Sequence, residues 1–514
     1  MAVMWNIGCI IRKKAQTYPN KTAIVFEDTP VTFKELDEGS NRCAHLMLNA
    51  GVKRGDRVAA LLENSTEFFE IYFAAAKIGA IFVPLNTRLV GPEFVYQLND
   101  SGARMMFLHD SFAATIDGIR SELTIADDDY ILLHDSADRP EWGRDYLELM
   151  NGQSKEEPVL DEPVSITEPL AIIYTSGTTG NPKGAVVSHE QTFYKSNQVA
   201  MYFDSRMEDV VVAQMPMFHS GGLFVVATPT LNTGATLILR RNFDPEVFAK
   251  DIEKYKGTVV FGLTTMWRMI LSSKMLDHID VSSVRRVMGG GERTPQTLMD
   301  GLAEKGLYMQ QGFGQTENSF MMLMPQEDIQ RKPGSIGKPG SFTDVWIADE
   351  EGNRLGPNET GEIVASGPTV MSGYWGLPEK TAETIVDGVL HTGDLGYIDE
   401  DGFFYIVDRA KDMYRSGGEN VYPAQVEKIL LGHPAIINVA IIGVVDENWG
   451  ETGKAFLVLE PNETITLEEI HAFLENKVSR YKFPLHIGVL DELPMTATMK
   501  VRKAELKKLE DTDL

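Results

Sequence analysis

The chain has 514 residues, of which 43% are hydrophobic and 24% are charged, a composition typical of a globular protein with more than one domain. Acidic residues outnumber basic ones by 74 to 48, and the resulting net charge of −26 argues against nucleic acid and anionic lipid as partners. Two cysteines, Cys9 and Cys43, are too few for a disulfide framework or a zinc site, so a reducing compartment such as the cytoplasm is expected.

No stretch of the sequence approaches the length of about 18 uninterrupted apolar residues that a membrane-spanning helix needs. The charges near the start follow a short apolar stretch, which is the reverse of the order in a signal peptide. We therefore expect no transmembrane segment, while peripheral contact with a membrane stays open.

The first hundred residues alternate between strand-like and helix-like patterns. Strands are predicted over 22–26 and 57–62, and helices over 32–50 and 65–78. Thr32 followed by Glu35 forms a capping box at the start of the first helix. Such alternation predicts an α/β fold with a parallel sheet. The acidic, irregular stretch 115–165 is expected to form surface elements.

The alternation resumes at residue 170, with strand-like runs at 171–174, 235–239 and 258–261. Residues 332–408 are rich in glycine and predict a small β subdomain, in which Asp401-Gly402 indicates a hairpin turn. After 408 the pattern returns to short strands and helices, and a tight hinge is predicted over 409–411.

A segment rich in glycine and hydroxyl side chains follows the strand at 171–174. Its glycines allow a tight turn that points backbone NH groups at one place, its hydroxyls add donors, and its lysine adds a cation. Such a loop suits a polyphosphate, although it lacks the Gly-Lys-Ser/Thr triplet of a Walker loop. The candidate residues are Thr175, Ser176, Gly177, Thr178, Thr179, Gly180 and Lys183.

This loop resembles the signature loop of the adenylate-forming enzymes, the superfamily of acyl-CoA synthetases, peptide-synthetase adenylation domains and firefly luciferase. Further motifs follow in the family order, so that the resemblance covers essentially the whole chain. The resemblance implies an α/β fold with a large N-terminal domain of stacked α/β sheets over 1–408, which includes the small β subdomain, and a small, mobile α+β C-terminal domain over 412–514. It implies a ligase that uses ATP and Mg²⁺ to convert a small carboxylic acid into an acyl-AMP, and then transfers the acyl group to coenzyme A.

The resemblance also assigns residues to the nucleotide. Phe313 would stack on adenine, Thr316 would reach the phosphate and Glu317 would hold Mg²⁺, a hard cation that suits a carboxylate. Asp394 would bind the ribose hydroxyls, and Arg409 would contact ribose or phosphate. The other residues of the predicted nucleotide site are Gly289, Gly290, Gly291, Gln311, Gly312, Gly314 and Gln315.

The C-terminal part resembles the mobile domain of the family. Lys411 matches the hinge about which that domain would rotate between the two steps. Lys500 matches the lysine that would neutralise charge during adenylation. Met499 stands where the family usually has glycine, which would slow adenylation or shift the loop. The segment predicted to bind coenzyme A contains Ser416, Gly417, Gly418 and Glu419.

The segment 215–222 resembles the motif that lines the acid pocket. His219 is expected to act as a wall or gate of the pocket and not as a general base. The predicted pocket residues are Phe218, His219, Gly221, Gly222, Thr264 and Gly289. They are mostly neutral, which disfavours charged acids and amino acids and favours an aliphatic or alicyclic acid.

Several alternatives remain open at this stage. The acid could be aromatic, or the chain could adenylate an acid without using coenzyme A. A different class of function, a nucleotide-binding sensor without catalysis, would be consistent with Met499 beside Lys500. A homo-oligomer such as a dimer is also compatible with the sequence.

Overall fold

The computed structural model describes residues 5–133, 140–175, 182–290, 294–409, 412–416, 419–446, 449–475, 477–478, 480–496 and 500–510. The chain divides into two compact units. The first comprises Met1–Thr175, Pro182–Asp344 and Ser366–Leu390, and the second comprises Ser176–Asn181, Val345–Ala365 and His391–Leu514. The predicted domain boundaries and the hinge stay predictions, and Lys411 lies outside the described residues.

The first unit contains a nine-stranded sheet. Its strands are β1 (Thr22–Phe26), β2 (Thr29–Thr32), β10 (Val210–Val212), β11 (Thr236–Leu239), β12 (Val259–Leu263), β13 (Arg286–Gly290), β14 (Met309–Gln315), β15 (Ser319–Leu323) and β16 (Lys338–Pro339). They are ordered β16-β15-β14-β13-β12-β10-β11-β1-β2. The strands from β14 to β1 run parallel, while β2, β15 and β16 join their neighbours antiparallel.

An eight-stranded sheet forms the rest of the frame of this unit. Its strands are β3 (Arg57–Leu61), β4 (Ile81–Pro84), β5 (Ala103–His109), β6 (Tyr130–Leu133), β7 (Arg144–Asp145), β8 (Pro169–Thr175), β9 (Lys183–Ser188) and β19 (Gly373–Tyr374). Their order is β19-β9-β8-β4-β3-β5-β6-β7, and the strands from β8 to β7 run parallel.

Helices connect these strands. They are α1 (Cys9–Thr17), α2 (Phe33–Asn49), α3 (Thr66–Ile78), α4 (Gly91–Ser101), α5 (Ala113–Asp117), α6 (Tyr146–Met150), α7 (His189–Phe203), α8 (Thr228–Thr233), α9 (Pro245–Lys254), α10 (Thr264–Ser272), α11 (Gln296–Ala303) and α12 (Pro378–Thr384). A π-helical segment, Gly221–Ala227, leads into α8. The predicted capping box is present, because Thr32 and Glu35 exchange side-chain and backbone hydrogen bonds at the start of α2.

The core of the first unit lies where helices cover the sheets, and it includes Phe68, Phe73, Phe82, Phe224 and Trp267. One sequence expectation is wrong here. Residues 115–165 were expected at the surface, but Tyr130–Leu133 forms a buried strand between β5 and β7. The apolar run is only four residues long and is preceded by three aspartates, so the acidic surroundings concealed it.

The second unit is built on two further groups of strands. They are β17 (Asp344–Ala348), β18 (Gly361–Ser366), β21 (Val389–Ile398), β22 (Phe404–Arg409), β23 (Tyr414–Ser416), β24 (Glu419–Val421), β25 (Ile436–Asp446), β26 (Gly450–Leu459) and β27 (Pro484–Val489). The short β20 (Ile385–Val386) pairs with Leu390 and Val389 at the start of β21. The helices are α13 (Pro423–Leu430), α14 (Leu467–Leu474) and α15 (Lys503–Glu510).

The first group is ordered β17-β18-β21, with β22 paired to β21. The second is ordered β24-β23-β26-β25, with β27 paired to β26. The hairpin predicted at Asp401-Gly402 joins β21 to β22, and Gly402 has the positive φ of 82° that such a turn requires. The predicted mixed α/β fold is confirmed. No helix in the described parts of the chain is long and apolar enough to cross a membrane.

Candidate active site

Four of the predicted motifs meet at one edge of the nine-stranded sheet. The parallel strands β10, β12, β13 and β14 are successive neighbours, and Gly289 pairs with Gly262 on one side and Gln311 on the other. The segment 215–222 follows β10, and Thr264 follows β12 directly. Ligands of open α/β sheets bind at the carboxyl ends of the strands. The fold therefore gathers the predicted acid and adenine residues of this unit at the edge where such a site is expected.

Hydrogen bonds tie the strand ends together. The hydroxyls of Thr264 and Thr294 lie 2.8 Å apart, and the Gln311 side-chain amide donates to the Thr294 carbonyl oxygen at 3.3 Å. Both threonines are buried. Thr294 was not predicted as a site residue. Its only sequence signal is its position three residues after the glycine-rich stretch that ends at Gly291.

The segment 215–222 also reaches the predicted phosphate motif. The Ser220 and Thr316 hydroxyls are 3.2 Å apart, and both side chains are buried. His219 accepts a hydrogen bond from the backbone NH of Gly221 at 3.2 Å through its Nδ1 atom. That bond fixes the orientation of the ring, and its role as a wall or gate of the acid pocket stays a prediction. Phe218, beside it, packs against the main core.

Glu317 is oriented by a residue that sequence reasoning missed. The Tyr374 hydroxyl donates to Oε1 of Glu317 at 2.8 Å, and the Nζ atom of Lys183 lies 4.8 Å from the centroid of the Tyr374 ring. Burial, reinforced by the neighbouring Glu317 carboxylate, raises the pKa of Tyr374, so that the hydroxyl keeps its proton. The predicted phosphate-binding lysine and the predicted metal ligand thus share one aromatic neighbour.

Helix α7 holds the segment around Glu317 in place. The Gln191 side-chain amide donates to the carbonyl oxygens of Thr369 at 2.8 Å and Glu317 at 3.4 Å. Gln198, two turns later, donates to the carbonyl of Phe320 at 2.8 Å. The helix begins at a Ser188 cap. This rigid polar face explains how a turn between two short strands can present a carboxylate in a defined direction.

Close backbone packing accounts for several glycines of the predicted site. A Cβ atom at Gly222 would collide with the carbonyl oxygen of Pro216, and one at Gly314 would collide with that of Ser319. A side chain at Gly312 would overlap the Phe320 ring, and one at Gly289 would overlap Met309. Because the obstacle at Gly222 and Gly314 is backbone, these two positions require glycine whatever ligand binds, and their glycines alone do not identify a nucleotide.

In the second unit, Asp394 is buried on β21, and the backbone of Arg409 on β22 is its partner in the strand register. The turn before Asp394 is fixed by Thr392, which donates to the Ile363 carbonyl at 2.6 Å, and by the NH of Gly393, which donates to Glu362 at 2.8 Å. A buried carboxylate on a fixed turn is suited to accepting hydrogen bonds from a diol.

Lys500 lies exposed in the second unit. Its backbone NH donates to the Thr496 hydroxyl at 3.0 Å, the Thr496 NH donates back at 2.7 Å, and Met495 pairs with Val501. These bonds fix the backbone of Lys500, and the effect of Met499 stays a prediction. Ser416, predicted for coenzyme A, is buried at the end of β23 and pairs with Glu419 on β24.

Part of the predicted site lies outside the described residues, and those assignments stay predictions. The positions are Ser176, Gly177, Thr178, Thr179, Gly180, Gly291, Gly417, Gly418 and Met499.

The donor set around Glu317 suits a magnesium ion. Within the described ranges, no group of three His, Cys, Asp or Glu side chains is placed to hold a metal ion. Magnesium, however, commonly binds through one or two carboxylates together with substrate phosphates and water. A single oriented carboxylate is therefore consistent with that kind of site.

Comparison with known proteins identifies the family. The model of the AMP-binding enzymes matches residues 11–375, and that of the AMP-binding enzyme C-terminal domain matches residues 425–500. The chain belongs to the AMP-binding enzymes. The resemblance predicted from the motifs, and the prediction of a ligase of that family, are confirmed.

The relatives of this AMP-binding enzyme cover its whole length. A feruloyl-CoA synthase from an Amycolatopsis species is 37% identical over 96% of this chain and 97% of its own. A long-chain-fatty-acid–CoA ligase of Mycobacterium tuberculosis is 35% identical over 98% of each chain. The solved structure of the o-succinylbenzoate coenzyme A synthetase from Bacillus subtilis, in complex with ATP and magnesium ion, has a TM-score of 0.86 and 31% identity over 97% of this chain and 99% of its own.

Proposed function

We propose that this AMP-binding enzyme is an ATP-dependent acid:CoA ligase that works through an acyl-AMP. The observation that carries the proposal is the Glu317 carboxylate, oriented by Tyr374 and Gln191 beside the strand ends where the acid and adenine motifs meet. The feruloyl-CoA synthase, the long-chain-fatty-acid–CoA ligase and the o-succinylbenzoate coenzyme A synthetase all match over nearly their full length, which supports coenzyme A as the thiol.

In the proposed first step, a carboxylate oxygen of the acid attacks the α-phosphorus of ATP. A new oxygen–phosphorus bond forms, the bond to the β-phosphate oxygen breaks, and pyrophosphate leaves. Mg²⁺, when bound, spreads the charge of the phosphates. Lys183 and Lys500 supply positive charge, and Thr316 supplies a hydroxyl donor to the phosphate, so catalysis consists of positioning and charge neutralisation.

In the proposed second step, the sulfur of coenzyme A attacks the acyl carbon. The carbon–sulfur bond forms as the anhydride bond to AMP breaks, AMP leaves with the electron pair, and the thiol proton passes to solvent. The product is a thioester. The chain needs no nucleophile of its own for either step, which agrees with its two cysteines, Cys9 and Cys43, being buried.

The relatives do not determine which acid this chain uses, because their names include both a feruloyl and a long-chain fatty acyl group. The neutral residues of the predicted pocket favour an aliphatic or alicyclic acid, and an aryl acid is the alternative. The His219 ring, fixed by Gly221, and the packed Phe218 form an apolar wall that accepts either kind.

Exchange of labelled pyrophosphate into ATP tests the first step. The expected result is exchange that requires both the acid and Mg²⁺ and proceeds without coenzyme A. Absence of exchange with every acid of a broad panel would point to a nucleotide-binding sensor. Exchange without AMP release on adding coenzyme A would point to an adenylating enzyme that uses another acceptor.

A further inference from the structure

Lys195 is a buried cation that the proposed reaction does not use. It lies in the middle of α7 with its side chain fully buried, and its Nζ atom has no hydrogen-bond partner in the part of the chain that the structure describes. Unpaired buried amino groups are costly, and native interiors leave few of them. A partner other than the described residues is therefore expected to satisfy this group.

Lys77 shows what a structural buried lysine looks like in the same fold. Its Nζ atom contacts Asp37 at 2.7 Å, Asn41 at 2.6 Å and Glu157 at 2.7 Å, so that all three of its donors are paired. Lys195 is buried as deeply as Lys77, but its Nζ atom has no hydrogen-bond partner among the described residues. If Lys195 had a purely structural role, no hydrogen bond from the described residues would offset the cost of burying its amino group.

The surroundings of Lys195 indicate which site it serves. Its Nζ atom lies 5.6 Å from the ring centroid of Phe224, within the π-helical segment that continues directly from the predicted acid motif. Gln191, one turn earlier on α7, holds the Glu317 backbone through its amide nitrogen while its Oε1 atom has no partner among the described residues. Two unpaired polar atoms therefore lie on α7, the helix that contacts both the backbone of Glu317 and the ring of Phe224.

The electrostatic state of Lys195 agrees with this position. Burial lowers its pKa to about 7, and the negative charge of Glu317 opposes that effect. Near neutral pH an anionic or strongly accepting oxygen that approaches the amine raises its pKa, so that the amine takes a proton from water and is held in its charged form.

We propose that Lys195 binds an oxygen acceptor of the substrate acid, remote from the carboxylate that reacts, and selects acids that carry a second oxygen function. This inference rests on the proposed ligase function and narrows its substrate. The recognised group is a phenolic oxygen or a second carboxylate. The pocket residues predicted from the sequence are mostly neutral and do not include Lys195. A lysine within a helical pattern gives no sign in the sequence that it is buried.

Two pairs of acids that differ only in that oxygen test the proposal with the wild-type chain. They are cinnamate with 4-hydroxycinnamate, and octanoate with octanedioate, each assayed for AMP release in the presence of coenzyme A. Wild type should favour the oxygenated member of one pair by about tenfold or more in kcat/KM, since a charge-assisted hydrogen bond contributes that much. The pair that responds identifies a phenolic or a carboxylate oxygen. Equal use of both members in both pairs, or preference for the hydrocarbon members, would overturn the proposal.

Lys195→Met removes the charge while keeping the length of the side chain. It should reduce kcat/KM for the favoured acid by about 10- to 100-fold, mainly through KM, and change that for its hydrocarbon partner by less than about threefold. Lys195→Gln, which retains a donor, should be intermediate, and it replaces the methionine variant if that variant does not fold. The control is Lys250→Met, on the exposed face of α9.

An equal loss of kcat/KM for both acids of a pair in Lys195→Met would mean that Lys195 acts only in packing, which contradicts the proposal. A wild-type chain that turns over no acid at all would instead refute the ligase function on which the proposal rests. The two failures are therefore distinguishable.

Discussion

At the scale of single residues, the position of Glu317 depends on side chains that are distant in sequence. Tyr374, which holds one of its oxygens, follows it by 57 residues, and Gln191 precedes it by 126. The Thr-Glu motif identified the carboxylate from the sequence. Its partners could not be predicted, because neither belongs to a local pattern and only the folded chain brings them together.

Removing the Tyr374 hydroxyl should impair the first step without unfolding the chain. Glu317→Gln is expected to lower acid-dependent pyrophosphate exchange by about 100-fold or more, and Tyr374→Phe by about tenfold, since the latter loses one hydrogen bond to a charged group. Tyr308→Phe, at an exposed tyrosine, is the control. Wild-type exchange rates in Tyr374→Phe would show that this hydroxyl does not orient Glu317.

Glu70 is expected to make stability depend on pH. Its carboxyl is buried, accepts from the Tyr146 hydroxyl at 2.6 Å, and has its pKa raised to about 7 by burial. The unfolded chain ionises this group near its ordinary value of 4.5, while the native state retains the proton up to about 7. The native state thus binds more protons in that window, and its stability falls as pH rises from 4.5 through 7.

Ionisation of Glu70 across this pH range should lower the free energy of unfolding by roughly 3 kcal/mol. Glu70→Gln keeps the hydrogen-bond acceptor for Tyr146 and cannot ionise, so it should be more stable than wild type at pH 8 and similar at pH 5. Urea unfolding at the two pH values measures the difference. An identical pH dependence in both proteins would exclude Glu70 as its source.

At the scale of elements, the helices and strands whose apolar residues recur with a clear period were predicted well. The alternation that gave β1, α2, β3 and α3 placed each within one residue or two of its observed bounds, because apolar periodicity and capping side chains are local signals. The strand β6 was missed because its four apolar residues lie in acidic surroundings. The role of α7 was also missed, since its buried polar face looks like an exposed face in the sequence.

Lys77 links three elements of the first unit. It lies on α3 and pairs with Asp37 and Asn41 on α2 and with Glu157 in the segment after α6. Lys77→Met would leave half-buried Asp37 without its cation, which should lower the free energy of unfolding by about 3 kcal/mol. Lys250→Met, at an exposed lysine, should have no measurable effect. Equal denaturation midpoints for the two variants would contradict this account of the ion cluster.

At the scale of the whole molecule, the family and the α/β architecture could be predicted because the motifs recur in order along the chain. The match of the AMP-binding models to residues 11–375 and 425–500 agrees with that order. The acid could not be predicted, because the side chains that select it come from separate elements. Lys195 on α7 and Phe224 in the π-helical segment meet only in the folded unit.

The central claim is that a carboxylate oxygen attacks the α-phosphorus of ATP, and labelled acid tests it directly. With an acid that carries ¹⁸O in its carboxylate, one labelled oxygen should appear in AMP for each thioester formed, and none in pyrophosphate. Mass spectrometry of the nucleotide and phosphate products makes the measurement. Unlabelled AMP, or label in inorganic phosphate with ADP as the nucleotide product, would contradict an acyl-AMP mechanism.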